Sequence, residues 1–157
     1  MLVYMTKPSS KANPTKAIVF DFGRTIYDPD SDRLVPGALE LLNQAHAQGY
    51  ICLLLTKAGP GRLEQLKALG LTDLFDDIVI TTQKSVAVFQ EFANRFGIDT
   101  SRSFVIGDRA QNELAFGAEA GWPTIWFRSG KFRDEMPLPA YPPTLTVTTL
   151  AEATALI

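Results

Sequence analysis

The chain has 157 residues, of which 46% are hydrophobic and 20% are charged, and its formal net charge is -2. This balance predicts one soluble globular domain with a core of its own. The near-neutral charge, without a long basic run, argues against nucleic acid or an anionic membrane as the main partner. A single cysteine and a single histidine exclude a disulfide framework and a His/Cys zinc site. We therefore expect a reduced, cytoplasmic protein.

Residues 1–15 are predicted to form a flexible N-terminal tail, and residues 16–157 a single domain. The opening MLVYM is too short for the apolar core of a signal peptide, and the following TKPSSKANPTK has the composition of a flexible segment. No apolar stretch approaches the roughly 18 residues that a bilayer span requires. No membrane partner is expected.

From residue 17 onward, short apolar runs alternate with amphipathic stretches of helical spacing. The runs are continuously apolar, which is typical of parallel strands buried on both faces. Each amphipathic stretch stops at a glycine, the residue that most often closes a helix in the left-handed conformation. The predicted strands are 17–20, 51–55, 77–80, 103–106, 124–127 and one within 145–149, and the helix-ending glycines are Gly49, Gly70, Gly97 and Gly121.

This alternation predicts an α/β fold, namely a doubly wound, mostly parallel sheet with helices on both faces. Residues 128–143 are basic and proline-rich, and we expect them to form a surface connection to a last strand and a terminal helix. The cations of this connection, Arg128, Lys131 and Arg133, either grip an anionic substrate or lie in solvent.

Four polar residues follow the predicted strands at the edge where sheets of this kind bind ligands. Asp21 follows the first strand, Thr56 the second and Asp108 the fourth, while Lys84 lies a few residues past the third. Carboxylate oxygens bind hard cations such as Mg²⁺, and a hydroxyl and an ammonium hold phosphate oxygens. This set suits a magnesium ion together with a phosphoryl group.

Each of these positions also fits a purely structural role. Thr56 fits an ordinary strand residue or a helix cap. Asp21 fits a turn cap, although an acid beside a buried run costs several kcal/mol unless it is paired or metal-bound. Asp108 fits a helix N-cap. Lys84 fits a solvated loop lysine, although the helix dipole disfavours a cation near a helix N-terminus by about 0.3–1 kcal/mol. Glu113, five residues after Asp108, is either a supporting acid or a favourable first-turn residue.

Taken in chain order, these residues resemble the four motifs of the haloacid dehalogenase-like (HAD-like) hydrolase superfamily, from about residue 16 to Phe127. AIVFDFGRT resembles the first motif, D-x-D-x-T, with Asp21 and Thr25 in place, and ICLLLT resembles the second, a strand ending in Ser or Thr. Lys84 in TTQKSVAVF matches the third, and FVIGDRAQNE is similar to the fourth. Receiver domains use a similar residue set but place the lysine last, whereas here Lys84 precedes Asp108.

The resemblance implies a Mg²⁺-dependent phosphatase that acts on a phosphorylated small molecule or a larger phosphorylated substrate. Asp21 would attack phosphorus and form an aspartyl-phosphate, and Asp21, Asp108 and the backbone carbonyl of Gly23 would hold the metal. Thr56 and Lys84 would bind the phosphoryl group and neutralise its charge. The other implied site residues are Lys57 for phosphate binding and Glu113, Thr25 and Arg24 around the nucleophile and the metal. Lys57, like Arg109, also fits a solvent-facing position.

The first motif departs from the superfamily pattern at Gly23, where phosphatases carry a second acid that protonates the leaving group and activates water. Gly23 retains a carbonyl for the metal but has no acid. General acid–base catalysis is typically worth about 10²–10⁴-fold, so we expect a slow phosphatase. Asp28 is the nearest substitute acid but also fits a turn beside Pro29. Arg24 either binds a substrate phosphate or folds outward.

The intervals between the first three motifs are too short for a cap domain, which predicts a capless member of the superfamily. The resemblance then implies large or polymeric substrates, or an oligomer or partner that closes the site, and it argues against dehalogenase and phosphonatase chemistry. The rival hypothesis, favoured by Gly23, is a catalytically inactive protein that keeps the pocket for binding phosphate, metal or a partner.

Overall fold

The computed structural model of the protein describes residues 2–6 and 15–157. Its main sheet has seven strands, in the spatial order β1-β6-β5-β2-β7-β8-β9, and a two-stranded hairpin, β3–β4, stands apart from it. The strands are β1 (Leu2–Thr6), β2 (Ala17–Asp21), β3 (Tyr27–Asp28), β4 (Arg33–Leu34), β5 (Ile51–Lys57), β6 (Asp77–Thr81), β7 (Phe104–Gly107), β8 (Thr124–Phe127) and β9 (Leu145–Val147). Six neighbouring strands of the main sheet are parallel, and β1 pairs antiparallel with β6.

Helices cover both faces of the sheet, which confirms the predicted fold class. They are α1 (Ala38–Ala47), α2 (Arg62–Ala68), α3 (Val86–Phe96), α4 (Glu113–Glu119) and α5 (Leu150–Leu156), with short 3₁₀ turns at Thr100–Arg102 and Gly130–Phe132. Buried side chains of α1, α2 and α5 pack on one face, and those of α3 and α4 on the other. None of these helices is long and apolar enough to cross a membrane.

Strand β2 shows why continuous apolar runs form the centre of this sheet. It lies between β5 and β7, and all five of its residues are buried. Ile18 and Phe20 face one hydrophobic cluster, while Ala17 and Val19 face the other. Apolar side chains are therefore needed at successive positions until the strand ends at Asp21.

The predicted helix ends agree with the structure. The four glycines all have positive φ, and Gly97 caps α3 with φ 59° and ψ 46°. A side chain at such a position would meet the steric penalty of the left-handed region, so glycine ends the helix at the lowest cost.

The N-terminal prediction differs from the structure at Leu2–Thr6. These residues form β1 at the edge of the sheet instead of part of a flexible tail. An isolated apolar pentapeptide carries no helical or alternating signal, so its pairing with β6 depends on an edge formed by residues far along the chain. Of the rest of the predicted tail, residues 1 and 7–14 lie outside the described residues, whereas Thr15 is buried and pairs with Ile98 as an isolated bridge.

Candidate active site

The predicted polar residues meet at the carboxyl edge of the parallel strands. Asp21 ends β2, Thr56 is the penultimate residue of β5, and Asp108 directly follows β7. Lys84 lies between β6 and α3. They line one cleft of about 370 Å³, together with Gly23, Arg24, Lys57 and Glu113.

Asp21 lies at the centre of this cleft and is 7% exposed. The ammonium of Lys84 contacts Asp21 Oδ1, and Lys84 Nζ lies 3.6 Å from Glu113 Oε2. The Thr25 hydroxyl, fully buried behind the strand end, donates to Asp21 Oδ2 at 3.4 Å. Burial alone lowers the pKa of an ammonium, but the charges of Asp21 and Glu113 raise the pKa of Lys84 above its ordinary value. Lys84 is therefore a permanent cation beside the nucleophile candidate.

Three carboxylates cluster here, because Asp21, Asp108 and Glu113 each place an oxygen within 4.8 Å of the others. Burial, and then the negative charge of Asp21, raises the pKa of Asp108 to about 8. The same two causes raise the pKa of Glu113 to about 7. Both shifts mean that ionising Asp108 and Glu113 costs free energy in the metal-free site. A bound cation would offset this cost.

The donor atoms of the cluster fit a divalent cation. Asp108 Oδ2 is buried and has no hydrogen-bond partner among residues 2–6 and 15–157. Lys84 supplies a single positive charge within a site that holds three acids. Carboxylate oxygens are preferred ligands of Mg²⁺, which commonly binds through one or two carboxylates.

Glu113, predicted as either a supporting acid or a first-turn residue, is a member of the carboxylate cluster and also begins a helix. It is the first residue of α4, is 2% exposed, and accepts a hydrogen bond from Arg109 N–H at 3.1 Å. A Cβ at Gly107 would lie 2.3 Å from Glu113 Oε1. Glycine at the end of β7 therefore leaves the room in which Glu113 approaches Asp21 and Asp108, a requirement that sequence reasoning missed.

Gly23 leaves open space beside the nucleophile candidate. It lines the cleft, and a Cβ added there would meet nothing within 4 Å in the described part of the chain. Asp28 does not take the place of an acid at this position. Its carboxylate accepts hydrogen bonds from Asp30 N–H at 3.0 Å and from Ser31 Oγ at 2.7 Å, and so holds the turn of the β3–β4 hairpin.

Arg24 adopts a left-handed conformation, with φ 63°, and its guanidinium binds Asp30 at 2.8 Å. It lines the cleft and also an adjoining cavity of about 220 Å³ to which Asp28 contributes. The structure thus places Arg24 at the boundary of the two cavities and not in open solvent.

Several residues that line the cleft belong to none of the four motifs and were not predicted as site residues. Arg109, which also fitted a solvent-facing position, donates from Nε to Glu135 Oε2 at 2.7 Å and stacks over the Phe132 ring at 3.9 Å. Arg62 donates from Nε to the Lys57 carbonyl at 3.2 Å. No local sequence pattern predicts these contacts, because they form between chain segments that only the fold brings together. The cleft residues outside the predicted set are Pro29, Arg62, Thr82, Gln83, Arg109, Asn112, Phe116 and Phe132.

Comparison with known proteins supports the same family. A family model described as HAD-hydrolase-like matches residues 84–153. The chain is 30% identical over 129 residues to the pyrimidine 5'-nucleotidase YjjG of Escherichia coli, covering 78% of this chain and 56% of that protein. It is 26% identical over 108 residues to the glyceraldehyde 3-phosphate phosphatase of Pyrococcus furiosus, covering 65% of this chain and 45% of that protein. The chain belongs to the haloacid dehalogenase-like hydrolase superfamily.

Solved structures of HAD-like proteins share the fold. The putative HAD-hydrolase YfnB of Bacillus subtilis, bound to magnesium, superposes with a TM-score of 0.74 at 15% identity, covering 90% of this chain and 98% of that one. A putative haloacid dehalogenase-like hydrolase of Burkholderia xenovorans superposes with a TM-score of 0.77 at 14% identity, covering 91% and 97%. This HAD-like chain spans about half the length of the relatives that it matches in sequence.

Proposed function

We propose that the protein is a Mg²⁺-dependent phosphatase in which Asp21 is the nucleophile. The observation that carries this proposal is the Asp21 carboxylate, buried at a strand end, held by Lys84 and placed among two further acids at the floor of a cleft. A fold has no structural need for such a costly arrangement. The phosphatase names of the matched relatives support the same reaction class.

In this mechanism an Asp21 oxygen attacks phosphorus and the bond from phosphorus to the ester oxygen breaks. The leaving oxygen departs with the bonding electron pair and takes a proton from water, and a second water then hydrolyses the aspartyl-phosphate. Thr56 and Lys57 hold phosphoryl oxygens, and Lys84 orients the Asp21 carboxylate and offsets the charge of the transferred group. Positioning and charge stabilisation of this kind dominate catalysis of phosphoryl transfer.

Asp21, Asp108 and the backbone carbonyl of Gly23 would hold the Mg²⁺ ion. When bound, the ion supplies positive charge close to the phosphoryl oxygens and offsets the repulsion within the carboxylate cluster. Glu113 would support this group from its position against Gly107, where its carboxylate also accepts the Arg109 N–H.

We also propose a small phosphorylated substrate, reached without a cap domain, and a cytoplasmic location. The substrate class follows the named substrates of the relatives, glyceraldehyde 3-phosphate and pyrimidine 5'-nucleotides. The capless reading is supported by the intervals between motifs, which hold only the β3–β4 hairpin and α1 before β5, and α2 before β6. The single cysteine, which leaves the described chain without a disulfide, is consistent with the proposed location.

The decisive experiment is phosphate release from alkyl and aryl phosphates, with and without Mg²⁺, by the wild type and by Asp21→Asn. We expect Mg²⁺-dependent release by the wild type, fastest on aryl esters, whose leaving groups need little protonation in the absence of an acid at position 23. Asp21→Asn keeps the size of the side chain but removes the nucleophile, so release should stop. Release that survives this substitution would contradict the proposal.

A non-enzymatic binding protein is the second candidate, and Gly23 is the observation that favours it. Such a protein would bind Mg²⁺ and phosphate through the same residues but release no phosphate from any ester. Calorimetric titration with Mg²⁺ and inorganic phosphate, beside the release assay, separates the two: binding without release supports the second candidate.

A further inference from the structure

The loop from Asp108 to Glu113 joins β7 to α4 and supplies two of the three clustered carboxylates. Before a cation binds, the ionised carboxylates of this cluster repel one another, and Lys84 offsets only part of that repulsion. Repulsion at this range favours movement of the loop away from Asp21. Contacts that hold the loop in place therefore bear directly on the affinity for metal.

One set of hydrogen bonds ties the loop to strand β8 and to Glu113, the first residue of α4. The Trp126 indole N–H, from β8, donates to the Asp108 carbonyl at 3.0 Å. Glu113 Oε1 accepts the Arg109 N–H at 3.1 Å, and the Asn112 N–H donates to the Arg109 carbonyl at 3.2 Å. These bonds fix the two ends of the loop.

The Glu135 carboxylate, from the 128–143 connection, binds the loop at two residues, Arg109 and Gln111. Its Oε2 accepts from Arg109 Nε at 2.7 Å, and its Oε1 accepts from the Gln111 N–H at 2.6 Å. The Gln111 side-chain amide donates in turn to the Met136 carbonyl. The Glu135 side chain is 10% exposed and that of Arg109 is 36% exposed, so their ion pair is partly sheltered from water.

The 128–143 connection is itself folded against the sheet. Arg128 N–H donates to the Val147 carbonyl in β9 at 2.8 Å, and Glu135 N–H donates to the Phe132 carbonyl at 3.0 Å. The Phe132 ring lies under the Arg109 guanidinium at 3.9 Å and lines the cleft. These contacts hold the connection in place and so fix the position of the Glu135 side chain.

We propose that Glu135 is a positioning residue for the metal site. Through Arg109 and Gln111 it holds the loop so that Asp108 and Glu113 face Asp21 before the cation arrives. The inference rests on the proposed function only in that the carboxylate cluster binds Mg²⁺, and it does not require turnover. Removal of residues that orient metal ligands typically weakens metal binding about 10–100-fold, and Glu135 acts through one intervening residue, so we expect about tenfold.

The test is calorimetric titration of the whole chain with Mg²⁺. Glu135→Gln keeps the side-chain size but presents an amide N–H₂ to one of the two donors, and its Kd for Mg²⁺ should rise about tenfold. Asp134→Asn is the matched control, because it removes the same charge from the neighbouring residue. Asp134 is 85% exposed, and its ion pairs within the described part of the chain are with Arg128 and Arg133, at 4.0 and 3.8 Å, so the Kd of Asp134→Asn should equal that of the wild type.

A second readout separates positioning from general damage. Excess Mg²⁺ should restore phosphate release by Glu135→Gln to the wild-type rate, whereas a distorted site would stay slow. Arg109→Gln removes one of the two Glu135 contacts and serves if Glu135→Gln does not fold; we expect a smaller loss of Mg²⁺ affinity from it.

Equal Mg²⁺ affinity in Glu135→Gln and Asp134→Asn would overturn the role of Glu135. A rate that excess Mg²⁺ does not restore would overturn it as well. Mg²⁺ binding by a wild type that releases no phosphate would instead defeat the proposed phosphatase, and the affinity comparison would still decide the role of Glu135. A wild type that binds no Mg²⁺ would defeat both.

Discussion

Asp21 and Gly23 stand two residues apart, and they differ in charge and in the side chain that each offers to the proposed reaction. The Asp21 carboxylate is buried and paired with Lys84, whereas Gly23 offers the cleft a backbone and open space. The proposed nucleophile is thus held in place, while position 23 supplies no side-chain acid. With Asp21 as the proposed nucleophile, the lack of an acid at position 23 predicts slow displacement of poor leaving groups and slow hydrolysis of the aspartyl-phosphate.

Gly23→Asp should speed the hydrolysis of alkyl phosphates, by up to about 10²–10⁴-fold, because a general acid would then protonate the departing oxygen. Gly23 is not one of the described glycines with a positive φ, and a Cβ added there would meet nothing within 4 Å. The new side chain therefore fits without backbone strain. Steady-state phosphate release gives the rate.

Gly23→Asn is the control, since it adds the same bulk without an acid, and we expect no acceleration from it. Aryl phosphates should gain less than alkyl phosphates from Gly23→Asp. An equal gain on both ester classes would point to better binding and against restored proton transfer.

At the scale of elements, the junction of β7 and α4 depends on Gly107. A Cβ there would overlap the Glu113 carboxylate, at 2.3 Å from Oε1 and 2.7 Å from Cγ. Gly107→Ala should displace Glu113, weaken Mg²⁺ binding, and lower the free energy of unfolding by about 1–3 kcal/mol, the usual cost of overpacking.

Chemical denaturation and Mg²⁺ titration check this expectation. Gly59→Ala is the control, because the nearest atom to its Cβ is the end of the Arg62 side chain at 3.8 Å, an ordinary contact. Stability of Gly59→Ala should stay within about 0.5 kcal/mol of the wild type. A Gly107→Ala variant as stable as Gly59→Ala would mean that Glu113 moves aside freely.

The elements that could be predicted are those whose signal is local. Strand β2 appears as a continuous apolar run and α3 as a repeat of buried residues at helical spacing that stops at Gly97. The β3–β4 hairpin was missed because two-residue strands show no periodicity. The order of motif residues along parallel strands was enough to predict that Asp21 and Asp108 meet at one edge.

The parts of the site that escaped prediction depend on distant partners. The Glu135 carboxylate reaches Arg109 across 26 positions of sequence, from a connection that holds no α-helix or strand. The closeness of Glu113 to Asp21 depends on the missing side chain of Gly107, a steric condition visible only in three dimensions.

At the scale of the whole molecule, the carboxylate cluster links folding to pH. Asp108 and Glu113 have pKa values raised to about 8 and about 7, whereas carboxyl groups of an unfolded chain ionise near pH 4. Between these values the unfolded chain has lost protons that the metal-free folded protein still holds. The free energy of unfolding of the metal-free protein should therefore fall as pH rises from about 4 to 8.

Mg²⁺ should reverse part of this loss, because it binds the ionised carboxylates and only the folded chain presents them together. We expect the rise in Tm on adding Mg²⁺ to be larger at pH 8 than at pH 6, measured by calorimetry against a sample in EDTA. Asp108→Asn, which removes one ligand, should show a much smaller rise at both pH values. A rise independent of pH would indicate that Mg²⁺ acts elsewhere on the protein.

The hydrogen bond from the Trp126 indole to the Asp108 carbonyl also links the fluorescence of the protein to the candidate metal site. Indole emission responds to charge and hydrogen bonding at the ring, and this ring is 5% exposed and bonded to the backbone of a metal-ligand candidate. Trp122, buried against Phe89 with ring centroids 6.3 Å apart, contributes the second indole emission of the chain. Occupancy of the site can thus be followed by fluorescence of the native chain, without a label, and Trp126→Phe would identify the reporting ring.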